Sequence, residues 1–225
     1  MQTGFVPVLL VALLVLVIVI VGYIANKKRM EAFKALAGKL GLSFNESKNY
    51  DFATKYGFLN KLAQGSNRYM FNTLCGKYRD QQVLASDYHY ETYSNDSKGH
   101  RQTHHHYFSL LTLQLPVVFP EITITKEGIL SKLAQAFGYD DIDFESAEFS
   151  RSFCVRSPDK KFAYDICNAK MIDYLLENKD LSIEIEHNVL AILFDSQMDV
   201  ENIESNMNRL LEIYSRMPNY LFERI

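Results

Sequence analysis

The chain has no tryptophan, only three cysteines and five prolines in 225 residues, and no charged side chain before residue 27. Cys75, Cys154 and Cys167 are odd in number and far apart, unlike a disulfide framework or a C-x-x-C metal site. No Pro-rich or Gly/Ser-rich tract separates one part of the chain from another. There is no G-x-S-x-G, H-E-x-x-H or G-x-G-x-x-G, and Gly76-Lys77 lacks both the upstream glycine and the downstream Ser/Thr of a phosphate-binding loop. Together these absences argue against the common hydrolases, kinases and dehydrogenases. A net charge of −3 gives no general pull toward nucleic acid. What remains is 48% hydrophobic and 23% charged, a composition that excludes a disordered chain.

The charge-free start is a membrane segment. Phe5–Ala25 is an apolar run of 21 residues. As a helix it measures roughly 31 Å, enough to cross the hydrocarbon core. Its many Val and Ile residues disfavour a helix in water, but in lipid a lone span has no other way to satisfy its backbone. A cleaved signal peptide would carry a basic start, a shorter apolar core and a small-x-small cleavage site, and none is present. The reading is an uncleaved, single-pass signal anchor that meets the lipid bilayer through residues 5–25. Lys27, Lys28, Arg29, Lys34 and Lys39 all follow the span, so the positive-inside rule places the N-terminus outside and the domain on the cytoplasmic side of the cell membrane.

Beyond the anchor (residues 1–26), a juxtamembrane helix is expected over 27–41, with Met30, Phe33, Leu36, Ala37 and Leu40 on one stripe and Gly41 as its stop. Residues 42–225 then form a soluble domain. Strands are expected at Tyr69–Tyr78, Gln82–Tyr93, His104–Leu115 (ended by Pro116), Glu121–Thr125 and Phe149–Arg156, with a polar loop at Ser94–Thr103. A short helix is expected at Ile129–Phe137. Ser157-Pro158-Asp159 opens a longer one running to about Asn178. Leu181–Glu186 and Val189–Phe194 read as a hairpin turning at His187-Asn188, with Ile183 and Ile185 buried. A final helix covers about Asp199–Met217, its apolar stripe turned to the domain's own sheet. Strands early and helices late argue an α+β fold with a mainly antiparallel sheet and packed helices.

Some residues resemble a series N-x-L-x-G-x-Y … D-Y-x-Y … D-I-D-F … F-S, carried here by Asn72, Leu74, Gly76 and Tyr78, by Asp87-Tyr88-His89-Tyr90, by Asp141-Ile142-Asp143-Phe144 and by Phe149-Ser150. The series is similar to that of a family of uncharacterised prokaryotic proteins, often membrane-anchored. The resemblance implies architecture and carries no activity or ligand.

Two clusters invite a metal. In Asp140, Asp141, Asp143, Glu145 and Glu148 the EF-hand spacing fails, because Ser146 replaces the glycine and Ser152 the closing glutamate. Four of six histidines, His100, His104, His105 and His106, crowd next to the polar loop. If Tyr93 pairs with His104, then His89, Glu91, His104 and His106 share one sheet face with ligand types suited to zinc. A one-residue slip removes that set, and wet strand ends collect histidines without a role. No residue is therefore assigned a catalytic, cofactor-binding or metal role, and no cofactor is expected. Tyr88, Tyr90, Tyr93 and Tyr107 read as cross-strand pairs rather than a nucleic-acid platform. The favoured function is a non-enzymatic binding or scaffold module at the cytoplasmic membrane face, with room for an unknown protein partner. The rival is a metal-dependent enzyme with dispersed residues around the histidine hairpin.

Overall fold

The computed structural model describes residues 5–127 and 140–223, with side chains from Leu10 onward. The helix expected at Ile129–Phe137 lies outside the described residues. The apolar segment and the juxtamembrane stripe form one helix, α1 (Phe5–Leu40, 36 residues). It ends where Gly41 adopts φ +67 and the Leu42 N–H bonds the Ala37 carbonyl at 3.0 Å, a left-handed cap that glycine accepts without strain. From Leu10 to Ile24 its large apolar side chains are exposed. A soluble surface rarely carries so large a contiguous apolar patch, and α1 is long and apolar enough to cross a membrane.

A six-stranded antiparallel sheet follows. Its strands are β1 (Ser43–Asn45), β2 (Ser66–Tyr78), β3 (Gln81–Asn95), β4 (Arg101–Lys126), β5 (Phe153–Arg156) and β6 (Ile183–Leu193). The path runs β1-β2-β3-β4-β5, and β6 pairs with β4. The helices are α2 (Tyr50–Lys55), α3 (Ala147–Ser152), α4 (Lys160–Ile166), α5 (Ala169–Glu177) and α6 (Ile203–Arg216). The fold is α+β. One sheet face carries the larger core, in which Phe33 and Ala37 of α1 join Val83, Leu111, Ile185, Phe162, Met171 and Leu210. The other face packs a smaller cluster, with Leu59 and Leu62 over Leu84, Tyr88 and Leu110. The α6 stripe (Ile203, Met207, Leu210, Ile213) is buried within the domain's own core.

Several expected boundaries move, each for a physical reason. Pro116 does not end a strand. β4 runs on for 26 residues, and the ladder to β6 is irregular between Gln114 and Phe119, where a residue lacking an N–H is tolerated. The hairpin expected at Leu181–Phe194 is a single strand, β6, paired along β4. His187 does take φ +51, but it kinks one strand beside the β4 irregularity instead of reversing the chain. Ile183 and Ile185 are buried. The segment 149–156 is half helix, because Ser146 caps α3 by accepting from Phe149 N–H. The helix expected from Ser157 to Asn178 is two helices. Asp159 caps α4, Asn168 caps α5, and Ser157 instead donates to the Glu121 carbonyl at 2.6 Å.

Candidate functional site

β2 and β3 build two polar clusters on the helix-covered face, and both depend on a bulge. Between Ser66↔Glu91 and Tyr69↔His89, and again between Phe71↔Asp87 and Leu74↔Ala85, β2 spends one residue more than β3. The extra residues are accommodated by Asn67 (φ +47) and Asn72 (φ +51), and asparagine tolerates the left-handed region better than most side chains. Each asparagine hands its amide to a β3 carboxylate. Asn72 Nδ2 donates to Asp87 Oδ2 at 2.9 Å, and Asn67 Nδ2 donates to Glu91 Oε1 at 2.6 Å.

Asp87 is 2% exposed and saturated. Arg29 of α1 reaches both its oxygens, at 3.2 and 3.0 Å. Ser109 Oγ donates at 2.6 Å and Gln197 Nε2 at 3.0 Å. Arg29 also donates to the Met198 carbonyl, and Met198 N–H bonds Ser109 Oγ. The N-terminal helix α1 is thus clasped to two strands and to the segment before α6. Lys39 and Lys34 add ion pairs to Glu204 and Glu46.

The second cluster lies further along β3. His89 is 1% exposed and stacks on Tyr69 with ring centroids 4.4 Å apart, with Tyr107 at 4.8 Å on another side. Its Nδ1 lies 3.1 Å from the Asn67 carbonyl and must donate to it, which leaves Nε2 as the acceptor. That Nε2 lies 3.0 Å from His105 Nδ1, and His105 Nδ1 lies 3.5 Å from Glu91 Oε1. Tyr93 O–H donates to Glu91 Oε2 at 2.9 Å and itself receives Ser66 Oγ–H at 3.0 Å. Gly65 lets this rim close. A Cβ there would stand 2.3 Å from the Glu91 carbonyl, and its φ is +62. Burial holds the His89 imidazole below its ordinary pKa, partly offset by the Asn67 hydrogen bond. Hydrogen bonds from Asn67, then from Tyr93, hold the Glu91 carboxyl below its ordinary range.

The ligand set expected from sequence, His89, Glu91, His104 and His106, is not what the hairpin brings together. The register pairs Glu91 with His105, Tyr93 with Thr103 and Thr92 with His104, one residue away from the assumed pairing. His104 and His106 therefore lie on the opposite face, bonded to Ser94 and Thr92 at 2.7 Å each, and His106 stacks on Tyr90. His105 takes their place beside His89 and Glu91. Among the described residues these are a group whose donor atoms all lie within 4.8 Å of one another, and their types suit a transition-metal ion. The turn itself held the missing signal. Gly99 (φ +83) follows Asp96-Ser97-Lys98, Gly99 N–H bonds the Asp96 carbonyl, and Asp96 N–H bonds the His100 carbonyl. A three-residue loop with a left-handed glycine sets Asp96 opposite His100, and the register follows from there. In the acidic stretch, Ile142 is buried while Asp141 and Asp143 are exposed, and Asp141 accepts from Val155 N–H at 2.8 Å.

A third carboxylate, Glu184, sits on the other sheet face, 2% exposed. It accepts from Asn60 N–H at 2.6 Å and Asn60 Nδ2 at 2.8 Å, while the same amide reaches Glu121. Burial pushes its carboxyl up to about 7. A cleft of about 370 Å³, lined by Phe52, Lys55, Tyr56 and Thr112 among others, opens between α2 and the sheet.

No family model matches the chain and no curated protein matches it, so the motif resemblance stands on its residues alone. Asn72 and Asp87, both in that series, meet in the Arg29 clasp. Among solved structures the chain is similar to the crystal structure of the mycobacterial trehalose monomycolate transport factor A, TtfA. The TM-score is 0.52 at 11% identity, over 83% of this chain and 90% of that one. The two share a fold.

Proposed function

We propose that the protein is a membrane-anchored, non-enzymatic binding or scaffold module whose domain lies at the cytoplasmic face. The observation that carries this reading is the Arg29–Asp87 clasp, which joins the sheet, without a flexible linker, to a helix whose apolar N-terminal part is exposed. A tether of that kind holds the domain at a set height and orientation, which suits a module that presents a surface to other membrane components. Successive contacts along α1 run opposite to β1, with the Ala37 carbonyl at Leu42, Phe33 stacked on Phe44 and Arg29 further along at Asp87. The β3–β4 hairpin therefore leaves the sheet on the side from which α1 departs toward the bilayer. Its polar tip, Asn95–Arg101, keeps out of hydrocarbon and lies at headgroup level or beside it. The orientation rests on Lys27, Lys28 and the basic residues that follow. A fold shared with a protein described as a transport factor fits a module that assists a membrane process without catalysing a reaction itself.

A photo-crosslinking residue at Lys98, compared with one at the exposed Glu201, tests the reading in intact cells. Adducts to lipid or to a membrane protein concentrated at position 98 support it; equal or absent labelling at both positions overturns it. For topology, a cysteine at Ser97 in a Cys75→Ser background should resist an impermeant thiol reagent until cells are opened. Cys154 and Cys167 are buried, and burial raises both thiols, so neither competes.

A further inference from the structure

We propose that His89, Glu91 and His105 form a binding site for one divalent transition-metal ion of the zinc class, with a coordination position left open on the solvent side. This goes beyond the scaffold reading and does not depend on it. Two of the three donor pairs already stand near the required spacing, and all three donors lie within 4.8 Å of one another. A four-coordinate ion with bonds of about 2.0–2.1 Å holds its ligand atoms roughly 3.3 Å apart. Here His89 Nε2 and His105 Nδ1 are 3.0 Å apart, and His105 Nδ1 and Glu91 Oε1 are 3.5 Å apart.

The surroundings orient the ligands as metal sites require. The Asn67 carbonyl binds His89 Nδ1 and so turns the Nε2 lone pair toward the other two donors. Asn67 Nδ2 and Tyr93 O–H position the two Glu91 oxygens. Tyr69 and Tyr107 wall the His89 ring, whereas the His105 side chain is 52% exposed and leaves the approach open. The cation Lys48 lies 4.3 Å over the Tyr69 ring and pairs with that ring instead of Glu91. A merely structural imidazole pair would need neither Glu91 at 3.5 Å nor two further donors to orient it.

Without metal, the His105 Nδ1–H donates to His89 Nε2. Binding replaces that bridging hydrogen with an ion set to one side of the line between the two nitrogens, toward Glu91, and leaves both imidazoles neutral. The proton moves to the remote nitrogen of His105, so the pair sheds no net proton. Two imidazoles and one carboxylate favour zinc and its first-row neighbours over magnesium and calcium, which prefer all-oxygen shells.

The test uses the full chain in detergent micelles, stripped with chelator and titrated with Zn²⁺ alone against a chromogenic chelator, with Co²⁺ as the spectroscopic probe. One ion per chain is expected, with tetrahedral d–d bands for Co²⁺ and a Zn²⁺-dependent rise in melting temperature. His105→Ala and Glu91→Gln should each weaken binding at least tenfold and abolish the melting shift. His105 is half exposed and Glu91→Gln is isosteric, so both variants keep the fold, which unchanged metal-free melting verifies. The double variant H104A/H106A, on the opposite face, should bind as the parent does. Absence of stoichiometric binding by the parent, undiminished binding by His105→Ala, or loss of binding in H104A/H106A would each overturn the site.

Discussion

Asp87 and Glu91 stand on the same face of β3, each served by an asparagine at a β2 bulge, and they end in opposite states. Asp87 is closed in by Arg29, Asn72, Ser109 and Gln197. Glu91 receives Asn67 and Tyr93, with two imidazoles beside it. The same local device thus makes a structural clasp where a cation closes it and an open donor cluster where none does. A buried carboxylate that has used its lone pairs on protein donors is a fastening. One that keeps a face toward other ligand types is available for chemistry.

Removing the cation side altogether is the strongest way to break the comparison. A fragment 42–225 lacks Arg29, Phe33 and Ala37, whereas a fragment 27–225 keeps them. Since Phe33 is 2% exposed in the main core, the shorter fragment should be less stable by about 5 kcal/mol or more, melting roughly 10–20 °C lower. Equal melting of the two fragments would mean that α1 only leans on the domain.

Asp87→Ala comes next. It strands a half-buried guanidinium and should destabilise the domain by about 3–5 kcal/mol in chemical denaturation. A loss under about 1 kcal/mol would show that water readily replaces the clasp.

Glu184 sharpens the comparison from the other direction, because it is as buried as Asp87 but has only neutral donors bonded to it. Its folded-state pKa is raised to about 7 from 4.5, so it is neutral in both states below about pH 4.5 and costs nothing there. Between pH 4.5 and 7 the unfolded chain ionises first and stability falls; above 7 the full penalty of about 3 kcal/mol applies. Glu184→Gln should accordingly stabilise the protein by about 1–3 kcal/mol at pH 8 and leave it unchanged at pH 4. A variant less stable than the parent at pH 8 would sink this account.

The smallest effect belongs to the open cluster. His105→Ala should change metal-free stability by under about 0.5 kcal/mol, since the ring is half exposed and water can take over its hydrogen bond to His89 Nε2. A loss above about 2 kcal/mol would make His105 a fastening like Arg29.

The span at Phe5–Ala25, the strands near Tyr69–Tyr78 and Gln82–Tyr93, and the α6 stripe were legible because each is a local period or a local run. The His187-Asn188 kink was not, since a left-handed residue reads alike in a turn and in a bulge until the partner strand is known. The clasp was equally hidden. Arg29 and Asp87 look like ordinary surface charges until α1 is laid along the sheet.

By itself the sequence determined which stretch is long and apolar enough to cross a membrane, which stretches alternate and which are helical, because those depend on neighbours within a turn or a few residues. The tertiary structure alone decided the partners: which lysine or arginine of the juxtamembrane stripe is fastened, and which histidine joins His89 and Glu91. Side chains along a strand alternate faces with a period of two. A shift of one residue in the β3–β4 pairing therefore exchanged His104 and His106 for His105 and moved the candidate site with it.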